Sequence, residues 1–315
     1  MPMPAAPLPA ALPPLFTVAE ATALDVRRNR LRADDLASPY WGVRFRRDAP
    51  PTYADQVRLL QRLAPGSVAT HWTAAVLWGM WLPGSLEPRD DEVHLARHRS
   101  NGGTPRRVGV KGHELKSTAG IIEVDGIRLT SPAHTWVDLG GQARLLDDLV
   151  ACGDSLRQLP DGPGAEKSRF AFPLAEPADV VQALADRRGR RGVRLARQAW
   201  ELVRSGVDSI PETRIRLMAV DHGFPEPAVN PRIRLKGGRI VRPDLAWEKL
   251  KICIQYDGDY HRSPEQFRKD IERDRRMQAE GWTVVRAAGS ALTRDGGLAL
   301  MADLAAAFAS RGVHA

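Results

Sequence analysis

Residues 251–262, KICIQYDGDYHR, constrain this chain more than any other stretch. Ile252, Ile254 and Tyr256 fall on one face of an extended segment, because strand side chains alternate. Cys253, Gln255 and Asp257 share the opposite face, and Asp259, His261 and Arg262 follow at the tip. The preceding strand contains Pro243 and Asp244, and a short turn at Glu248 and Lys249 folds the chain back, which sets Asp244 beside Gln255 and Asp257. A carboxylate directly after proline in an otherwise apolar strand is costly unless something pairs with it. Side-chain oxygens converging from neighbouring strands are what a hard divalent cation such as magnesium or manganese requires. Such a cation activates water and neutralises charge building up on a phosphodiester.

The surrounding pattern predicts a compact order of elements. SIPETRIRLMAVDHG is a helix with a capping-box start at Ser209 and Glu212 and a stop at Gly223. RIRLKGGRIVRPDLAW is two strands joined at Gly237 and Gly238. After the KICIQYD strand, Ser263 and Pro264 open a helix that Gly281 closes, WTVVR is a further strand, and an amphipathic helix lies near 297–310. Asp270 and Asp274, four residues apart beside Arg273, read as a solvated helix face. Glu212 and His261 can complete the site from adjoining elements, the histidine as proton carrier or phosphate contact. Glu212 also has a complete structural reason to be present, as the fourth residue of its capping box.

VRPDLAW, then KICIQYDGDYHR, then a helix carrying RKDIERDRR, then GWTVVR, closely resembles the domain-of-unknown-function 559 family. That family looks like the very-short-patch repair endonucleases within the PD-(D/E)xK restriction-endonuclease-like superfamily. The resemblance covers about residues 209–290 and implies an αβββαβ core acting as a divalent-metal-dependent DNA endonuclease. Asp244 matches the aspartate of the PD motif, and Glu212 and His261 match accessory positions. Members usually read EYDG or EVDG where this chain has QYDG, so Gln255 replaces a carboxylate with a neutral amide. Asp257 also takes the place of the superfamily's lysine. The implied site is therefore Asp244, Asp257 and Gln255 as ligands of Mg2+ or Mn2+, with His261 and Glu212 beside them. The alternative is a catalytically degenerate fold serving as a DNA-binding transcriptional regulator.

Upstream, TVAE at 17–20 has capping-box spacing and predicts a short helix. VRRNRLRADDLA predicts a second helix with Arg27, Arg28, Arg30 and Arg32 in its first turns, followed by the strand YWGVRFRR. This is the order of a winged helix-turn-helix, whose second helix enters a major groove; a solvated arginine face on a packing helix is the other reading. Residues 16–150 resemble, more loosely, antitoxin-like winged-helix proteins of abortive-infection type IV toxin–antitoxin systems, through FTVAEATALDVRRNRLR, WGVRF, THWTAAVLWG and RLTSPAHTWVDL. That likeness implies DNA and a cognate toxin as partners.

A helix is expected around 53–63 and strands near EVHLAR, GVKGHELK and GIRLTS. His71, His94, His98, His113 and His134 are scattered there, no pair standing at i, i+4 on a helix as zinc ligands usually do, and read as surface or packing residues. Trp72, Trp78 and Trp81 read as core or interface material, with base stacking as the other option. Helices then follow to about Ser205, with Arg187, Arg188, Arg190, Arg191, Arg194 and Arg197 forming either a phosphate-gripping run or a solvated linker.

The fold class expected is α/β (α+β): a flexible leader at 1–15, a winged helix-turn-helix at 16–50, a mixed α+β region at 51–150, a helical linker at 151–208 and an endonuclease-like domain at 209–315. The composition, 43% hydrophobic and 27% charged, is that of a globular chain. Its net charge of +8 favours a polyanionic partner. Cys152 and Cys253 stand a hundred residues apart and form no disulfide framework or metal cluster, which fits a reducing cytoplasm. No apolar run approaches the ~20 residues a bilayer requires, so no membrane partner is expected.

Overall fold

The computed structural model describes residues 6–88, 92–162, 168–258 and 264–313, the side chains of 264–270 excepted. The chain is mixed α+β and separates into two units, Met1–Trp78 with Pro88–Thr135, and Gly79–Glu87 with Trp136–Ala315.

In the first unit, β1 (Leu15–Thr17) leads into α1 (Val18–Ala23), where Thr17 and Glu20 form the expected capping box. The expected second helix over 26–37 is absent. Asp25 turns the chain with φ 60°, and a single 3-10 turn, Arg30–Arg32, precedes β2 (Leu36–Ala37). Val26, Leu31 and Leu36 are the buried positions here, five residues apart, a spacing no α-helical face provides. Clustered arginines at a helix N-terminus would also oppose its macrodipole. The strand β3 (Val43–Arg46) pairs antiparallel with both β1 and β2, so the small sheet runs β1-β3-β2.

Then come α2 (Tyr53–Leu63), β4 (Val68–Ala69), α3 (His71–Trp78), β5 (Val93–His98), β6 (Val110–Leu115), β7 (Ile121–Val124) and β8 (Ile127–Thr130). The last five strands form a mixed sheet of order β6-β5-β4-β8-β7, in which β5 and β6 run parallel. Trp78 is buried and donates its indole N–H to the Thr130 carbonyl at 2.9 Å, a core role.

The helix α4 (Pro132–Leu139) carries the chain onward to α5 (Leu146–Leu156), α6 (Pro177–Asp186), α7 (Val193–Leu202) and α8 (Ile210–Asp221). Residues expected as a linker therefore pack inside the second unit. A buried ionic network shows why. Asp154 of α5 accepts from Thr213 Oγ1 at 2.7 Å and from Arg216 at 3.2 Å, both on α8. Burial pushes Asp154 up to about 6, while Arg216 pulls it down. Arg216, 1% exposed, also holds Glu226 at 3.0 Å and the Leu202 carbonyl at 2.9 Å.

Beyond α8 lie β9 (Ala228–Val229), β10 (Ile233–Arg234), β11 (Ile240–Val241), β12 (Leu245–Trp247), β13 (Ile252–Asp257), α9 (Pro264–Ala279), β14 (Thr283–Ala288) and α10 (Arg294–Ala309). The glycine hairpin forms, with Gly237 and Gly238 both at positive φ, where a Cβ is disfavoured. The strand expected to continue from Arg239 to Trp247 is broken at Arg242, Pro243 and Asp244. Its first part pairs with β10 and its second with β13, as proline's missing N–H permits.

The main sheet is β14-β13-β12-β9, with β13 and β14 parallel and its other pairs antiparallel. One face buries Leu245, Ile252 and Ile254 against Ile215 and Ala219 of α8 and Leu304 and Phe308 of α10. The other buries Ala246 and Cys253 against Met277 of α9, Trp282 and the hairpin. The period-two reading of residues 252–257 is thereby realised.

Candidate functional site

Leu245 stands opposite Ile254, so one residue outward Asp244 falls opposite Gln255, on the face that α9 covers. The Gln255 side-chain amide donates to both Asp244 carboxylate oxygens at 2.9 Å, and the Tyr256 backbone N–H donates to one of them at 2.6 Å. The Asp244 carbonyl accepts from the Asn230 backbone N–H at 2.8 Å. Burial raises the Asp244 carboxyl to about 6, and the donors from Tyr256 and Gln255 and the charge of Arg273 offset part of that rise.

Glu212 enters from the first turn of α8, where the Ser209 cap sets its position. One of its oxygens accepts from Ser209 Oγ at 2.7 Å; the other accepts from the Asp208 N–H at 3.0 Å and from Asn230 Nδ2 at 2.7 Å. Glu212 is only 6% exposed. Burial pushes its carboxyl up to about 7, and the neighbouring Asp244 charge pushes the same way. Arg242 reaches Asp208 at 3.1 Å and the Asn230 carbonyl at 3.2 Å, bracing this end of the sheet.

Asp257 lies on the same face as Gln255, one pleat further along β13, and is ion-paired with Arg286 of β14. Arg286 stands beside Gln255 in the parallel register and also grips Asp274, its Nε at 2.9 Å. Asp274, expected on a solvated face, is 8% exposed and turned toward the sheet. The structure thus brings Asp244, Gln255 and Glu212 together and draws Asp257 into an arginine-centred cluster with Asp274. His261 and the side chain of Asp270 lie outside the described residues. Asn230, Asp274 and Arg286 were missed in the sequence reading; the one available signal was an arginine on the strand after α9.

A cleft of about 690 Å³ is lined by Trp81, Asp208, Ser209, Ile210, Pro211, Tyr256 and Gly258, all in the second unit. It adjoins Glu212 through Ser209 and Asp244 through Tyr256. Cys253 and Cys152 are both buried free thiols, and burial pushes Cys253 up to about 12, which removes it as a nucleophile.

The basic run divides. Arg187 is fully buried and forked onto Asp138, at 2.8 and 3.1 Å, so it cannot grip phosphate; Arg190 is half-buried near the same aspartate at 3.9 Å. Arg191 and Arg194 are exposed on the approach to and first turn of α7. Of the amino-terminal arginines, Arg27, Arg28 and Arg32 are exposed, whereas Arg30 pairs with Asp35 at 2.7 Å. In the first unit, His71, His94 and His113 meet, contrary to their expected dispersal, with ligand atoms all within 4.8 Å of one another.

No family model matches the chain. Two proteins of Mycobacterium tuberculosis are similar to it: uncharacterized protein MT2308 of strain CDC 1551 / Oshkosh and uncharacterized protein Rv2248 of strain H37Rv. Each is 29% identical over 222 residues, covering 70% of this chain and 73% of the relative. Among the described residues, no helix is long and apolar enough to cross a membrane.

Proposed function

We propose that the second unit is a DNA-binding, restriction-endonuclease-like domain that hydrolyses phosphodiesters with a divalent cation, Mg2+ or Mn2+. One observation carries this reading: the buried Glu212 and the half-buried Asp244 are joined through Asn230, whose side chain donates to the Glu212 carboxylate and whose backbone N–H donates to the Asp244 carbonyl, and the Asp244 charge helps to raise the Glu212 carboxyl. Paired acids held in a low-dielectric site next to a cleft are what a cation relieves. Asp244 and Glu212 would hold it, with the neutral oxygen of Gln255 available once its amide turns. When bound, the ion supplies charge neutralisation at the scissile phosphate and activation of water.

The protein's own groups account for the rest. Tyr256 N–H and Asn230 fix the two acids, and Arg286 holds Asp257 against the sheet, away from direct ligation. Trp81 and Tyr256 line the cleft, where aromatic faces suit stacked bases. In the second unit the exposed Arg191 and Arg194 supply cations for the phosphate backbone; in the first unit, separately, Arg27, Arg28 and Arg32 are exposed for the same use.

A second reading rests on Gln255. Its amide already satisfies both oxygens of Asp244 without an ion, the state expected of a degenerate site in an antitoxin-like DNA-binding regulator. Plasmid nicking with Mg2+ or Mn2+ separates the two. Native activity abolished in Asp244→Ala supports hydrolysis. A native chain that is silent but becomes active as Gln255→Glu supports the regulator.

A further inference from the structure

The first unit contains a constellation that the nuclease reading does not use. His94 lies on β5 and His113 on β6, and in this parallel pair His113 stands opposite Ala96, two residues beyond His94 on the same face. The two rings are therefore diagonal neighbours, with His113 Nε2 3.0 Å from His94 Nδ1. His71, the first residue of α3, closes the group from above. Its ring stacks on His113 at 4.1 Å between centroids and lies 6.0 Å from His94.

Local features hold each ring in place. His71 takes φ +49°, a conformation uncommon outside glycine and of a kind that clusters at functional sites. Thr70 Oγ1 sits 3.1 Å from His71 Nδ1, which orients the ring. Thr73 Oγ1 accepts the His94 backbone N–H at 2.7 Å and is itself 2.9 Å from the Tyr53 hydroxyl, while the Trp72 ring lies 4.8 Å from the His94 ring. His94 is 1% exposed; His71 and His113 are half-buried, so the cluster is walled on one side and reachable on the other.

We infer that His71, His94 and His113 form a transition-metal site, with zinc as its natural test ion. Three imidazoles are a borderline-soft ligand set suited to zinc and unsuited to magnesium or calcium. Zinc–nitrogen bonds of about 2.0–2.1 Å in tetrahedral geometry separate the nitrogens by about 3.4 Å. The His94–His113 pair, at 3.0 Å, lies a few tenths of an ångström inside that spacing, and all three ligand atoms lie within 4.8 Å of one another. The Thr70 hydroxyl on the far nitrogen of His71 is the outer-shell partner that ligating histidines have. Among the described residues three side chains supply ligands, and a site with three protein ligands keeps a fourth position for water or a substrate group, as catalytic zinc sites do.

The test uses the full chain, stripped with chelator, in an Asp244→Ala background so that metal held by the second unit does not contribute. Zinc retained after dialysis is measured by mass spectrometry, and Co2+ substitution is followed by visible d–d absorption. About one zinc per chain is expected. The retained zinc should be lost in His71→Gln and in His113→Gln, whose zinc affinity should fall by more than the ~10–100-fold that loss of an outer-shell partner costs, and persist in His98→Gln. In the unmutated chain, zinc should shift the ring resonances of His71, His94 and His113 but not that of His222, which keeps the test valid if a variant folds poorly. Zinc stoichiometry unchanged in both histidine variants, no retained zinc, or zinc that leaves the rings of His71, His94 and His113 unshifted would overturn the assignment.

Discussion

Replacing Glu212 with glutamine tests the electrostatic core of the proposed site. Its carboxyl is raised from an ordinary 4.5 to about 7, chiefly by burial and then by the charge of Asp244. An acid with a raised folded-state pKa binds its proton more tightly in the native than in the unfolded chain. Its stabilising contribution is therefore complete below about pH 4.5, declines as pH rises toward 7, and stays flat above. The size of that decline is on the order of 3 kcal/mol, partly shared with Asp244. Glu212→Gln cannot ionise. Its NH2 can take the place of the oxygen beside Ser209, where the hydroxyl turns round to accept, and its remaining oxygen keeps the Asp208 and Asn230 donors. Any residual packing cost is independent of pH. Urea unfolding of both proteins at pH 5 and pH 8, without divalent ions, should show the native chain losing more stability than the variant by roughly 2–3 kcal/mol. Adding Mn2+ at pH 8 should recover much of the loss in the native chain and little in the variant. Parallel pH profiles would refute the claim that these acids repel each other in a dry site.

Other outcomes follow from the same geometry. Arg216→Ala removes the buried cation paired with Asp154, while Glu226 keeps Arg204, and should cost about 3–5 kcal/mol, as breaking a buried pair does, read as a lower urea midpoint. Gly192→Ala places a Cβ 2.1 Å from the Gly140 and Gly141 backbone at φ 86°, and should lower stability by more than ~3 kcal/mol, with little soluble protein recovered at 37 °C. If Arg191 and Arg194 touch phosphate, changing both to alanine should reduce the slope of log K against log salt for duplex DNA by about 2, without altering sequence preference.

The carboxyl-terminal third was the most readable part of the sequence because its signals are local. Ser209 and Glu212 cap α8, Gly223 and Gly281 stop helices, and Gly237 and Gly238 turn a hairpin, each within a few residues of its effect. Alternation over 252–257 assigned both faces of β13. The supposed basic helix after Asp25 failed for the converse reason. Its arginines suggested a helix, but the buried residues at five-residue spacing, which decide the backbone, did not.

What the residue order alone determined is which faces are apolar and where the chain must turn. Only the tertiary structure decided what gathers on those faces. Arg286 reaches Asp257 and Asp274 because β14 runs parallel beside β13 under α9. His71, His94 and His113 meet because β6 pairs in parallel with β5 beneath α3. Periodicity and capping act over a turn or a strand, whereas such convergence depends on which strands become neighbours, a choice made by burying the whole set of apolar faces at once.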